Sequence, residues 1–186
     1  SFNLSQIQHF IFSYGFYILL FCLVILFGFI SNDFLSISNW TQISIAACFL
    51  LAASAGLTLV LITGNIDLSI GSIAYLAATA VYLTADYHPL VSIMVAILVG
   101  ISFGLFNGFL VAYLKMNSLL TTLALMIAYR GLALVITGGS MHYIGKPLAS
   151  FGSVKFFSNS LPLIFLTSLF LNIFLQIVLK KTRFGT

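Results

Sequence analysis

Long apolar stretches alternate with short polar ones along this chain, and the pattern predicts six membrane-spanning helices. At a rise of 1.5 Å per residue, stretches of this length cross most or all of the ~30 Å hydrocarbon layer of a bilayer. The predicted spans are residues 10–30, 43–63, 68–85, 90–114, 119–136 and 161–179. We therefore expect an all-α integral membrane protein, built as a polytopic helical bundle.

A polar break separates the second predicted span from the third. Gly64 and Asn65 interrupt the apolar run, and Asp67 stands two residues before Ser69. A carboxylate at the start of a helix stabilises the N-terminal end of the helix dipole and accepts backbone N–H bonds, which predicts a capping role for Asp67. The alternative role is a gating contact with a basic residue. Both roles require a break of fixed shape near residues 64–67.

Composition excludes an ordinary water-soluble domain. Only 5% of the residues are charged and 61% are hydrophobic, whereas about a quarter of a soluble domain is charged. No basic patch with interleaved aromatic residues indicates a nucleic-acid partner, so the net charge of +4 is interpreted as an orientation signal in lipid. Basic residues after the fourth and sixth spans predict that these ends and the N-terminus are cytoplasmic.

Small residues predict close contacts between helices. Gly100, Gly104 and Gly108 are four residues apart and form two overlapping G-x-x-x-G units, and Gly71 lies on a similar small-residue face. Arg130 leaves two alternatives open, because it either extends to the lipid headgroups or faces a buried path. The structural or gating candidates are Gly64, Asp67, Gly71, Gly100, Gly104, Gly108 and Arg130.

Hydroxyl and amide side chains on small-residue faces are the candidates for contact with a polar solute. Each of them is also explained by hydrogen bonding between helices, and for Asn107 this structural role is the favoured one. The substrate-path candidates are Ser54, Thr58, Asn65, Ser69, Asn107 and Thr122.

No motif predicts catalysis, a metal or a cofactor. Gly145-Lys146-Pro147 is not a phosphate-binding loop, because Pro147 replaces the Ser or Thr that binds magnesium and no strand precedes it. Three Asp, no Glu and scattered His residues form no catalytic set. We therefore expect no catalytic residue, no metal site and no cofactor.

The break and the residues after it resemble the permeases of bacterial sugar ABC importers, in the ribose-type group that includes galactoside, xylose and autoinducer-2 permeases. The resemblance is carried by Gly56 to Ser72, with the sequence GLTLVLITGNIDLSIGS, and it continues in order along the chain. Its later elements are Gly104-Leu105-Phe106-Asn107-Gly108, Thr122-Leu123, Arg130-Gly131 and Gly138-Gly139. The chain departs from the family pattern at Asn117, where Pro is usual, and at Ala124, where Gly is usual.

The resemblance implies the membrane-spanning subunit of an importer in the bacterial inner membrane. In such a system a periplasmic binding protein delivers a sugar or sugar-like solute, a separate ABC ATPase hydrolyses ATP, and a second permease subunit, identical or related, completes the path. Residues 1–186 are then one permease domain, truncated on its C-terminal side and unable to drive transport alone. Lys180, Lys181 and Arg183 are the ATPase-facing candidates.

Two other function classes remain open on the residues alone. A secondary transporter of small polar solutes also uses broken helices at the membrane midplane, although ion coupling usually needs more buried acids than Asp67. An integral membrane enzyme is the remaining alternative.

Overall fold

A computed structural model describes residues 4–140, 155–156 and 161–181. The chain divides into two compact units, residues 1–44 and residues 45–186. Six α-helices occur in the described residues, so the expected all-α membrane class is confirmed. They are α1 (Leu4–Ile30), α2 (Ile37–Ile62), α3 (Ile70–Leu83), α4 (Pro89–Gly108), α5 (Ser118–Thr137) and α6 (Leu163–Lys181).

The first unit contains α1, a short connector and the start of α2. Ser36 Oγ accepts the Asn39 N–H at 3.2 Å, and Asn39 Nδ2 donates to the Phe34 carbonyl at 2.7 Å. The Phe34 ring lies 5.6 Å from that of Phe27 in α1. Because Ser36 satisfies a free N–H of the first turn, α2 begins at Ile37, six residues before the predicted span.

Within the described residues, five helical segments are long and apolar enough to cross a membrane: α1 from Ser13, α2, α4 with a π-helical turn at Phe109–Tyr113, α5 and α6. Helix α3 has 14 residues and therefore extends only about 21 Å. The predicted third span is thus shorter than expected. The non-helical residues 65–69 precede α3 and connect it to the turn that ends α2.

Helices α3, α4 and α5 share the core of the second unit. Leu76, Tyr129 and Ala133 are buried there, and the Phe103 ring meets Tyr129 edge-on at 4.7 Å. At one end of α4, Ser92 Oγ donates to the Thr84 carbonyl at 2.9 Å. Asn107 near the other end bonds Ser69, which precedes α3. Helices α3 and α4 are therefore antiparallel, and the break lies beside the end of α4.

The predicted glycine contacts are not made within the part of the chain that the structure describes. A Cβ built on Gly71, Gly100, Gly104 or Gly108 meets no atom within 4 Å. Val99, Phe103 and Asn107 form the inner face of α4. Each of them is followed directly by one of the three α4 glycines. One residue corresponds to about 100° around a helix, so Gly100, Gly104 and Gly108 lie beside this packed face rather than on it.

The departure from the family pattern at Asn117 leaves a regular start to α5. Asn117 has φ −61°, the value that a proline ring would impose, and its Oδ1 accepts the Leu120 N–H at 3.1 Å. Lys115, with φ 58°, reverses the chain before it. After α5, two-residue strands at Lys155–Phe156 and Leu161–Pro162 pair antiparallel and lead into α6.

Candidate functional site

The predicted helix break is confirmed. Its first residues terminate α2. Gly64 adopts φ +75°, in the left-handed region where a Cβ costs roughly 1–2 kcal/mol. The Asn65 N–H then donates to the Val60 carbonyl at 3.3 Å, and Asn65 Nδ2 donates to Thr63 Oγ1 at 3.0 Å. The positive φ of Gly64 turns the chain out of the helix, and the next five residues lie outside any helix or strand.

Helix α5 supplies hydrogen bonds to this non-helical backbone. Thr122, only 2% exposed, accepts the Leu68 N–H at 3.1 Å. Its hydroxyl donates to the Ser118 carbonyl at 2.8 Å, with the Ile66 carbonyl at 3.3 Å, and Ser118 Oγ lies 3.4 Å from the Ile66 N–H. Backbone groups in an apolar bundle need protein partners, since lipid offers none. Thr122 therefore supports the break.

Asp67 closes a tight turn at the entry to α3. Its Oδ1 accepts the Ser69 N–H at 2.7 Å and the Ser69 hydroxyl at 2.6 Å. Ser69 is fully buried and immediately precedes the first residue of α3. In the described part of the chain, the hydrogen-bond partners of Asp67 are Ser69 and Asn107, neither of which is basic. This geometry supports the capping interpretation rather than a contact with a cation.

A buried chain of hydrogen bonds connects the break to α4 and α5, and we call it the Asp67–Tyr129 network. Tyr129 donates to Asn107 Oδ1 at 2.8 Å. Asn107 Nδ2 donates to Ser69 Oγ at 2.6 Å and to Asp67 Oδ2 at 3.3 Å. Asn107 is 4% exposed and Tyr129 is 5% exposed. All the donors point toward the carboxylate, so the bonds polarise one another and strengthen cooperatively.

Two cavities flank the break. The smaller, of about 180 Å³, lies beside the glycine face of α4 and falls below the roughly 300–1,000 Å³ of small-molecule sites. Its lining includes Asn65, Asp67, Gly104, Asn107, Gly108 and Thr122. The larger, of about 370 Å³, is an open groove between α3 and α5 that we call the Arg130 groove. Its lining consists of Leu68, Gly71, Ser72, Tyr75, Met126 and Arg130. Arg130 is exposed on its wall.

Two of the six substrate-path candidates lie away from the break. Ser54 Oγ donates to the Leu51 carbonyl at 2.8 Å, and Thr58 donates to the Ser54 carbonyl at 2.7 Å. Asn172 of α6 bonds the Leu51 carbonyl at 2.8 Å and lies 3.3 Å from Ser54 Oγ. The structure does not bring Ser54 and Thr58 to the break, because their hydroxyls bond their own helix beside α6. Their contact with a solute stays a prediction.

Two of the three ATPase-facing candidates lie within the described residues. Lys180 and Lys181 form the end of α6, whereas Arg183 lies outside the described residues. Over the residues that the structure describes, no three His, Cys, Asp or Glu side chains come together as a metal site would require.

Sequence reasoning missed Tyr129, Ser118 and Asn172. A signal for the first two was present, because Ser118 and Tyr129 are four residues before and seven after Thr122 and so share one helix face. For Asn172 the signal was an amide within an apolar span, where such a group needs a partner on another helix.

The chain matches the family described as branched-chain amino acid transport system / permease component over residues 39–186. It is 37% identical over 163 residues to the "Autoinducer 2 import system permease protein LsrC" of Yersinia pestis (strain Pestoides F), covering 86% of this chain and 46% of that protein. The same values hold for the protein of that name from Yersinia pseudotuberculosis serotype O:3 (strain YPIII). The chain thus spans about half the length of these relatives. No solved structure matches it.

Proposed function

Because this chain belongs to the family of branched-chain amino acid transport system permease components, we propose that it is a membrane-spanning subunit of an ATP-driven importer. It is a multi-pass protein of the bacterial inner membrane. Its own task in this proposal is to form one wall of a gated solute path, while a separate ABC ATPase hydrolyses ATP.

The proposed cargo is a sugar or sugar-like solute delivered by a periplasmic binding protein. Autoinducer 2 is the first solute to test, because the relatives described above are named for its import. A second permease subunit, identical or related, faces the first across the path. Lys181 at the end of α6 is proposed to face the ATPase.

The observation that carries the proposal is the helix break and the buried Asp67–Tyr129 network that holds it. A permease needs backbone that leaves helical geometry inside the membrane, and such backbone is stable only where protein groups satisfy it. The bonds from Thr122 and Ser118 to the non-helical residues Leu68 and Ile66 meet this requirement. We assign the network the role of keeping the break in one shape while neighbouring helices move.

The Arg130 groove is the proposed part of the solute path. Its volume of about 370 Å³ lies within the range of small-molecule sites, and Arg130, Tyr75 and Ser72 bring hydrogen-bonding groups to it. An ionisable side chain within a membrane helix normally faces water or a path rather than acyl chains. Arg130 therefore faces the path in this proposal, and the smaller cavity is left to the break.

The test is uptake into proteoliposomes that contain the chain, its partner permease and the ATPase, with the binding protein and labelled autoinducer 2 outside. The expected result is uptake that requires enclosed ATP and the binding protein. Uptake driven by a proton or sodium gradient without ATP would instead identify a secondary transporter. Failure of the chain to co-purify with the ATPase would also contradict the proposal.

Asp67→Asn tests the site within the same assay. An amide cannot accept both Ser69 bonds with the strength of a carboxylate, so we expect uptake to fall at least tenfold. Asp33→Asn is the matched control, because Asp33 lies in the exposed connector between α1 and α2. Equal uptake by both variants would remove Asp67 from the proposed mechanism.

A further inference from the structure

An open groove between α2 and α6 has no role in the proposed path. Its volume is about 520 Å³ and it extends to the end of α6. Its lining includes Thr58, Leu169, Asn172, Ile173, Gln176 and Lys180. Asn172 ties α6 to the Leu51 carbonyl of α2. From this bond the groove follows α2 toward Thr58 and α6 toward Lys180. Both directions are C-terminal, so the two helices run parallel there.

The groove ends on the basic side of the second unit. Helix α2 ends at Ile62, and the next residues contact the start of α5 through the bond between the Ile66 N–H and Ser118 Oγ. Lys115, in the turn before α5, therefore lies on the same membrane side as the ends of α2 and α6. Lys180 and Lys181 add two cations there. By the positive-inside rule this side is cytoplasmic, where anionic lipids give the leaflet a negative surface potential.

The lining of the groove includes the apolar side chains of Leu169, Ile173, Leu175 and Leu179, and among the described residues its one charged side chain is Lys180 at the end of α6. Leu169 and Ile173 are 38% and 48% exposed, whereas Gln176 and Lys180 stand toward the basic end. The Thr58 hydroxyl and the Asn172 amide already bond backbone carbonyls. The part of the groove beside them therefore needs no polar ligand. This distribution matches an acyl chain that carries a negative headgroup.

We propose that this groove is a binding site for an anionic phospholipid of the cytoplasmic leaflet. The acyl chain lies against Leu169 and Ile173, and the phosphate lies at the ammonium of Lys180 with the amide of Gln176 beside it. The carbonyls at the end of α6 carry a partial negative charge, so phosphate binding there depends on the lysine. Lys181 does not line the groove and stays available to a protein partner.

The experiment measures lipid retained by the purified chain. Protein in neutral detergent is mixed with phosphatidylglycerol and phosphatidylcholine of identical acyl chains, and bound lipid is counted by native mass spectrometry. Retention of phosphatidylglycerol is expected to exceed that of phosphatidylcholine. Lys180→Gln should lower this preference about fivefold, which corresponds to the ~1 kcal/mol of one lysine at an anionic surface.

Two further variants separate the groove from general surface charge. Lys115→Gln, on the same side but outside the groove, should leave the preference unchanged. Ile173→Trp fills the apolar part and should lower retention of both lipids while all charges remain. The proposal is overturned if Lys115→Gln acts as strongly as Lys180→Gln. It is equally overturned if Ile173→Trp has no effect, if inorganic phosphate alone displaces the lipid, or if a second copy of the chain occupies the groove.

Discussion

Removing the hydrogen bond between Tyr129 and Asn107 tests whether the Asp67–Tyr129 network acts as one unit. Tyr129→Phe deletes the hydroxyl and leaves Asn107 Oδ1 without the 2.8 Å bond. Asn107→Ala deletes the acceptor and leaves a buried hydroxyl. Ser69 and Asp67 remain bonded to each other in both variants, through contacts of 2.6 and 2.7 Å.

The expected magnitudes follow from burial. Because hydrogen bonds between membrane helices average about 0.6 kcal/mol and reach about 1.7 kcal/mol, Tyr129→Phe should lower the free energy of unfolding by about 1 kcal/mol. Asn107→Ala should cost more, since a buried hydroxyl without a partner costs about 1–3 kcal/mol. In the double variant that hydroxyl is absent, so its loss should be about 1 kcal/mol smaller than the sum of the two single losses.

The assay is equilibrium unfolding of the purified chain in mixed micelles of dodecyl sulfate and neutral detergent, followed by circular dichroism. Tyr113→Phe is the control, because Tyr113 is 75% exposed and its change should stay within about 0.5 kcal/mol. Single losses that add to within about 0.3 kcal/mol in the double variant would refute the coupling.

Two further predictions concern the break. Thr122→Val removes the hydroxyl that accepts the Leu68 N–H, so hydrogen exchange at that amide should accelerate about fivefold for a bond worth about 1 kcal/mol. Thr167→Val is the control, because the Thr167 hydroxyl bonds only its own helix, and it should leave exchange at Leu68 unchanged. Equal exchange rates at Leu68 in the two variants would contradict the role given to Thr122. Gly64→Ala should destabilise the chain by about 1–2 kcal/mol because of its positive φ. Gly104→Ala should leave stability unchanged or raise it by up to about 1 kcal/mol, since the new methyl group meets no atom and alanine favours helix. Melting temperatures of the two variants in one detergent check this pair, and a lower value for Gly104→Ala would show that its face is packed.

Hydrophobic length predicted the six helices because each apolar run ends at residues that stop helices or face water. The short length of α3 was harder to predict, since Leu68 begins the next apolar run although its N–H bonds Thr122 and it lies outside the helix. Helix propensity is a local property of the sequence and does not reflect that contact with α5. The position of the glycine face was hard to predict for a similar reason. G-x-x-x-G spacing specifies a smooth helix surface but not which helix covers it, and here Phe103 and Asn107 form the face that packs against α3 and α5.

Much of the break was predictable from Gly64 and the Asp67–Ser69 spacing, because both act locally. The separation of Ser54 and Thr58 from the other candidates was not, since it depends on Asn172, 118 residues from Ser54 along the chain. Tyr129 was missed because an aromatic residue in an apolar helix is usually packing, and only its distance to Asn107 reveals the hydroxyl as a donor.

The π-helical turn at Phe109–Tyr113 identifies where this chain tolerates a change in length. The Leu114 N–H bonds the Phe109 carbonyl, five residues back, at 3.0 Å, so this turn holds one residue more than an α-helical turn does. Deleting one residue here would convert it to ordinary α-helix while Asn107 keeps its position. A deletion within α3 or α5 would instead rotate every later side chain by about 100°. Length variation among related chains should therefore concentrate between Asn107 and Asn117, which also makes this segment a suitable place to insert a reporter peptide.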